Sequence, residues 1–170
     1  MENRKNIIAY TDGACKGNPG NGGYGSIIIY QQYDKNENYN EDNIVKKISG
    51  HSANTTNNIM EITAVIETLR YILTLADKTE NKGKIEGLQV HIYSDSSYVV
   101  NGLNQWIPNW IEKDFKDVKN VEYWKQMIIY ILKLRGKNIH VNILKVLGHS
   151  GNKFNEMVDK IASSEANNIK

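Results

Sequence analysis

The chain has one cysteine (Cys15), two prolines and two phenylalanines in 170 residues. A single thiol excludes an intrachain disulfide and any multi-cysteine zinc site. Nothing in the sequence approaches the ~20 consecutive apolar residues that a membrane span needs. Near the N-terminus the only apolar run is Ile7-Ile8-Ala9-Tyr10, too short for the core of a secretory signal. No membrane partner and a cytoplasmic location are therefore expected, and the acceptor-like Asn54-Thr55-Thr56 carries no weight as a glycosylation site. Arginine is scarce as well: Arg4, Arg70 and Arg135 are the only ones among 21 basic residues. Lysine contacts phosphate as a point charge rather than as a bidentate fork, which favours tracking a backbone over reading bases. Neither sign of charge dominates, and a net +2 permits a polyanionic partner without demanding one.

What is present suits one folded unit. A hydrophobic share of 40% with 24% charged residues excludes disorder and fibrous structure. The length fits a single domain spanning 1–170. Ile7–Thr11 reads as a strand ended by Asp12-Gly13, followed by a turn-dense loop at 17–25 and a second strand over Ser26–Tyr30. Residues 31–42 are polar and asparagine-rich, as at an exposed hairpin tip, and a third strand is expected around Ile44–Ser49. From Asn58 the period changes. Ile62, Val65, Ile66, Leu69, Ile72 and Leu73 recur at helical spacing to about Leu75. A charged loop over Asp77–Gly87 follows, then a strand at Leu88–Tyr93 and a helix at Ser96–Trp106. Helix Tyr123–Leu134, strand Ile139–Leu147 and a final helix carrying Phe154, Met157, Val158, Ile161 and Ala162 complete the chain. The order β-β-β-α-β-α-α-β-α predicts an α/β fold with a mixed five-stranded sheet flanked by helices.

Acidic residues recur at suggestive places. Asp12 and Asp95 each follow an apolar strand, and the carboxyl edge of an α/β sheet is where sites are built. Each has a plain alternative: a turn at Asp12-Gly13, or capping of the next helix by Asp95. Glu61 borders the buried stripe of its helix, with a capping box from Asn58 as its alternative. Asp159 likewise flanks an apolar face, where it could be an ordinary solvated carboxylate. Four acidic groups gathered at one sheet edge would repel each other unless a cation lay between them. Mg²⁺ prefers such oxygen ligands, and paired ions ~3.5–4 Å apart support phosphodiester hydrolysis.

These residues lie in segments that resemble type 1 ribonuclease H. The segments are Tyr-Thr-Asp-Gly-Ala-Cys-Lys-Gly-Asn-Pro-Gly at 10–20, Thr-Thr-Asn-Asn-Ile-Met-Glu at 55–61 and Tyr-Ser-Asp-Ser-Ser-Tyr-Val at 93–99. Gln-Trp-Ile-Pro-Asn-Trp at 105–110, Lys-Asn-Val at 119–121 and Gly-His-Ser-Gly at 148–151 follow, ahead of Asn155-Glu156 and Asp159. The resemblance covers about Ile7 to Ala166 and has the same element order. It implies an endonuclease that hydrolyses the RNA strand of RNA–DNA hybrids by two-metal-ion catalysis, leaving 3′-hydroxyl and 5′-phosphate ends. It implies Mg²⁺, with Mn²⁺ as substitute, held by Asp12, Glu61, Asp95 and Asp159, and a monomer as the working form. His149 falls on an auxiliary position for proton shuttling or product release, a task suited to a side chain that titrates near neutral pH.

By the same resemblance, Asn18, Asn57 and Asn58 contact the hybrid's minor groove, where amides can meet base edges and the 2′-hydroxyl. Tyr98, Trp106 and Trp110 form a channel against the DNA sugars, although Trp106 also suits core packing. Thr56 and Asn120 form a pocket for a DNA-strand phosphate. Turn and cap usage is the plain alternative for the asparagines, and Cys15 is expected to contribute through its backbone.

Other patterns weigh differently. Gly20-Asn21-Gly22-Gly23-Tyr24-Gly25 matches G-x-G-x-x-G but leads into a strand, so it is no dinucleotide fingerprint, and no Walker lysine follows. Its glycines are expected to allow a hairpin turn and close approach to nucleic acid. Ile59 stands where bacterial members of the resembled family commonly carry arginine, and 111–119 holds three lysines against three acidic residues. Both departures predict weaker hybrid binding than in a strongly basic relative. The rivals left open are a junction resolvase, a reverse-transcriptase ribonuclease domain, a phosphate-loop ATPase on a related sheet, and a hybrid-binding module without catalysis.

Overall fold

The computed structural model describes residues 5–32, 40–78, 87–146 and 152–168. Five strands form one sheet: β1 (Lys5–Lys16), β2 (Gly20–Gln32), β3 (Ile44–Thr55), β4 (Gln89–Ser94) and β5 (His140–Lys145). Their spatial order is β3-β2-β1-β4-β5. The β1–β2 and β2–β3 pairs are antiparallel, whereas β4 runs parallel to β1 and β5 parallel to β4. The mixed sheet is the one the element order predicts. Helices α1 (Asn57–Asp77), α2 (Ser97–Asn101), α3 (Ile107–Glu112), α4 (Val121–Gly136) and α5 (Lys153–Asn167) complete the fold. A π-helical turn over Gly102–Trp106 joins α2 to α3, and a short 3₁₀ turn at Glu41–Asn43 precedes β3. The single helix expected at Ser96–Trp106 is thus a longer, irregular helical stretch.

Alternation along the strands sends residues to two cores. Ile7, Ala9, Ile28, Val90 and Ile92 face α1 and α4, where Val65, Leu69 and Trp124 are buried. Ile8, Tyr10, Ile27 and Ile29 face Phe154 and Val158 of α5 on the opposite side. Thr56 caps α1 by accepting the Ile59 N–H at 3.2 Å, and Asn152 caps α5 by accepting the Asn155 N–H at 3.0 Å.

The glycine-rich segment differs from its sequence reading. Residues 20–25 are strand, not loop, and pair with β1 through Asp12↔Gly25 and Gly13↔Tyr24. A Cβ on Gly23 would lie 2.3 Å from the Ala162 carbonyl oxygen, inside the backbone of α5. Gly23 therefore serves helix-on-sheet packing rather than contact with nucleic acid. Similarly, 31–32 extend β2 and 41–43 form the 3₁₀ turn, while the rest of the expected hairpin tip, 33–39, lies outside the described residues.

A buried carboxylate cluster beside an aromatic wall

Strand β1 does not stop at Asp12. It continues to Lys16 against β2, while its parallel pairing with β4 ends at Thr11↔Ser94. Asp12 therefore sits where the sheet loses one neighbour, and the turn alternative fails because Asp12 and Gly13 are both in-strand. On the adjacent strand Asp95 is the first residue beyond β4. It does not cap α2: the Ser96 hydroxyl accepts the Val99 N–H at 3.3 Å and does that job. Glu61 is not part of a capping box either, since Thr56 is the α1 cap and Glu61 is buried in the second turn.

What brings Glu61 to Asp12 is Gly13. A Cβ at that position would stand 2.4 Å from the Glu61 backbone nitrogen and 2.5 Å from the Met60 carbonyl carbon. The bare glycine lets α1 press onto β1. Carboxylate oxygens of Asp12, Glu61 and Asp95 consequently gather within 4.8 Å of one another. Asp159, on α5, is exposed and stands outside this 4.8 Å group, though near enough to Asp12 to act on its carboxyl.

This cluster is electrostatically unsatisfied. Asp12 and Glu61 are only 3% and 4% exposed. Burial first, then the Asp95 charge and the Asp159 carboxyl, push the Asp12 carboxyl up to about 8. Burial and the charges of Asp12 and Asp95 hold Glu61 well above the usual carboxylate range. Glu61 Oε2 is buried without a hydrogen-bond partner, the one such side-chain atom among the described residues. Stranding a carboxylate oxygen is expensive unless something else completes it. An all-oxygen donor set with one orphaned atom fits a hard divalent cation, which would supply the missing positive charge.

Beside the cluster lies a wall of rings. Tyr98 of α2 faces Trp106 at 6.0 Å and Trp124 at 5.4 Å between centroids, and Trp110 stands 5.9 Å from Trp106 and 5.1 Å from Trp124. The Tyr98 hydroxyl accepts from Trp124 Nε1 at 3.0 Å and from Asn120 Nδ2 at 3.1 Å. Asn120 is held with φ 58° just before α4, a left-handed conformation asparagine tolerates. Trp106 is half-buried, at the rim rather than in the core. Trp124, fully buried, is the residue the sequence reading missed. Its helical spacing to Met127, Ile128 and Ile131 was the available signal.

On the opposite flank the Asn18 side chain accepts the Asn57 N–H at 3.1 Å, tying the β1–β2 connection to the start of α1. The Cys15 thiol points to the carbonyl oxygens of Gly17 at 2.8 Å and Thr55 at 3.3 Å, holding the same junction. Asn57 and Asn58 remain exposed in the first turn of α1. Asn18, Asn57 and Asn58 thus share one patch, and Tyr98, Trp106, Trp110 and Asn120 share another. Thr56 uses its hydroxyl for the cap. His149, with its flanking glycines, lies outside the described residues.

A family model described as RNase H matches residues 4–167. The ribonuclease H of Acetivibrio thermocellus is 38% identical over 168 residues, covering 95% of this chain and 95% of the relative. That of Francisella philomiragia is 39% identical over 165 residues, covering 94% and 90%. Among solved structures, LC9-RNase H1, a type 1 RNase H with the type 2 active-site motif, superposes with a TM-score of 0.71 at 26% identity, over 98% of this chain and 74% of that one. LC11-RNase H1, solved in complex with an RNA/DNA hybrid, shares the fold at a TM-score of 0.63 and 20% identity, over 95% and 96%. With relatives aligned from end to end and an orphaned carboxylate in the cluster at the sheet edge, the chain belongs to the ribonuclease H family, in its type 1 branch, and is a metal-dependent hydrolase of phosphodiester bonds.

Proposed function

We propose that this protein cleaves the RNA strand of RNA–DNA hybrids endonucleolytically, with Asp12, Glu61, Asp95 and Asp159 holding two divalent cations, Mg²⁺ by preference and Mn²⁺ as substitute. The observation that carries the reading is the partnerless Glu61 Oε2 inside a carboxylate cluster 4.8 Å across. When bound, the ions supply Lewis acidity and charge compensation for hydrolysis that leaves 3′-hydroxyl and 5′-phosphate ends.

The chain's own residues position the substrate. Asp12 is oriented by the Gly13 N–H, which donates to its Oδ1 at 3.0 Å. Asn18, Asn57 and Asn58 face the minor groove, where their amides distinguish the RNA strand by its 2′-hydroxyls. Tyr98, Trp106 and Trp110 take the DNA sugars, and Thr56 with Asn120 take a DNA-strand phosphate. His149 has an auxiliary part, shuttling a proton or aiding product release. The enzyme works as a cytoplasmic monomer; among the described residues no helix is long and apolar enough to cross a membrane.

A labelled hybrid is the first substrate, run with Mg²⁺, with EDTA, and with the Asp12→Asn variant. Single-stranded RNA, duplex RNA and duplex DNA serve as comparisons. Metal-dependent cutting confined to the RNA of the hybrid and absent in the variant supports the reading. Tight hybrid binding without cutting in either metal would replace it with a binding module.

A further inference from the structure

The segment after Trp110 contributes no net charge, so the flank of the sheet beyond β4 must find cationic character elsewhere. Strand β5 is the edge strand there, and its last residue, Lys145, is the register partner of Ser94, immediately before Asp95. The parallel pairing brings the Lys145 end of β5 to the same sheet edge as the carboxylates. Lys145 Nζ donates to the Ser97 hydroxyl oxygen of α2. Both residues are exposed, and among the described residues no carboxylate lies within ion-pair distance of Lys145.

This arrangement has the chemistry of an anion contact. An ammonium has three donors, and one of them here fixes the side chain against Ser97. Two remain directed elsewhere. The Ser97 hydroxyl, having accepted from lysine, keeps its own proton to donate. Bracing also lowers the rotamer entropy that a free lysine would lose on binding. We propose that Lys145, positioned by Ser97, binds a backbone phosphate of the hybrid on the flank opposite Asn18 and Asn57. The proposal rests on the hybrid-cleavage reading and deepens it. Neighbouring strands are ~4.8 Å apart, so Lys145 stands about two spacings, ~10 Å, from the Asp12 strand. The contacted phosphate is therefore a neighbour of the scissile one along the backbone rather than the scissile phosphate itself.

The test compares wild type with Lys145→Met, Lys145→Arg and Ser97→Ala, by hybrid affinity over a salt series and by cleavage kinetics. Losing one phosphate contact should lower the slope of log affinity against log salt by ~0.7–0.9 in Lys145→Met. KM should rise several-fold with kcat within about twofold. Lys145→Arg should restore the slope, and Ser97→Ala should raise KM less than Lys145→Met. In a scan of single neutral methylphosphonates along the hybrid, one position away from the cut should weaken wild type and leave Lys145→Met unchanged. An unaltered salt slope and KM in Lys145→Met, whether or not its Tm falls, would overturn the inference. If wild type neither binds nor cuts the hybrid, the functional reading itself has failed, a result separate from any variant.

Discussion

The carboxylate cluster and the aromatic wall lie side by side and are built on opposite terms. In the wall, every ring has a neighbour, and the Trp124 N–H and the Asn120 amide both end on the Tyr98 hydroxyl. In the cluster, two buried acids face two more, and Glu61 Oε2 ends on nothing. The wall is complete as folded, so it can present a fixed shape to a substrate. The cluster is incomplete as folded, and the deficit is what a cation would relieve. One region adds to stability and the other is carried at its expense, as functional sites commonly are.

The largest expected effect comes from removing the deficit. Metal-dependent charge stabilisation is worth several kcal/mol, so Glu61→Gln should lower hybrid cleavage by ~10²–10³-fold or more while the fold survives. Single-turnover cleavage beside a thermal melt checks both halves. A Glu61→Gln enzyme with near wild-type rate would break the comparison at its root.

Damage to the wall should appear first in stability. Trp124→Ala removes a fully buried ring, and such truncations cost ~3–5 kcal/mol. Denaturant unfolding at fixed temperature measures it, and a loss below ~1 kcal/mol would show that the wall is not well packed.

Tyr98→Phe is subtler. It strands the Trp124 N–H and frees Asn120, so ~1–3 kcal/mol of stability should go. KM for hybrid should rise with kcat little changed. A fall in kcat alone would instead couple the wall to the chemistry.

A pH dependence of the metal-free protein probes the cluster without substrate. Asp12 moves from an ordinary 3.8 to about 8 on folding, so the native state keeps a proton that the unfolded chain has released. That contribution to stability is present in full below pH 3.8 and is lost as pH rises through about 8. In EDTA, the Tm of wild type should therefore fall relative to Asp12→Asn between pH 5 and 8. Added Mg²⁺ should raise the Tm of wild type, more at pH 8 than at pH 5, and leave Asp12→Asn largely unmoved. Parallel Tm–pH curves for the two proteins would mean that Asp12 titrates normally.

Much of the fold was legible because its signals are local. The period change at Asn58 marks α1, and the alternation over Leu88–Tyr93 marks β4. Positions of the four acids beside apolar stripes were legible too, as was the family resemblance that joined them. Where local chemistry was ambiguous the reading went astray: Asp12-Gly13 and the glycines of 20–25 look like turns, yet both lie in paired strands. Glycine there answers to partners far along the chain, Glu61 for Gly13 and Ala162 for Gly23. No window of sequence contains those contacts.

By itself, then, the sequence determined the element types, their order and the residues proposed to bind a cation or a hybrid. These follow from side-chain period, capping and chemical type, which act over a few residues. Tertiary structure alone decided that Asp12, Glu61 and Asp95 share a space 4.8 Å wide, that Trp124 underlies the wall, and that Lys145 ends beside Ser94. Those are results of long-range packing, in which burial and charge act between groups brought together only when the sheet and helices close on one another.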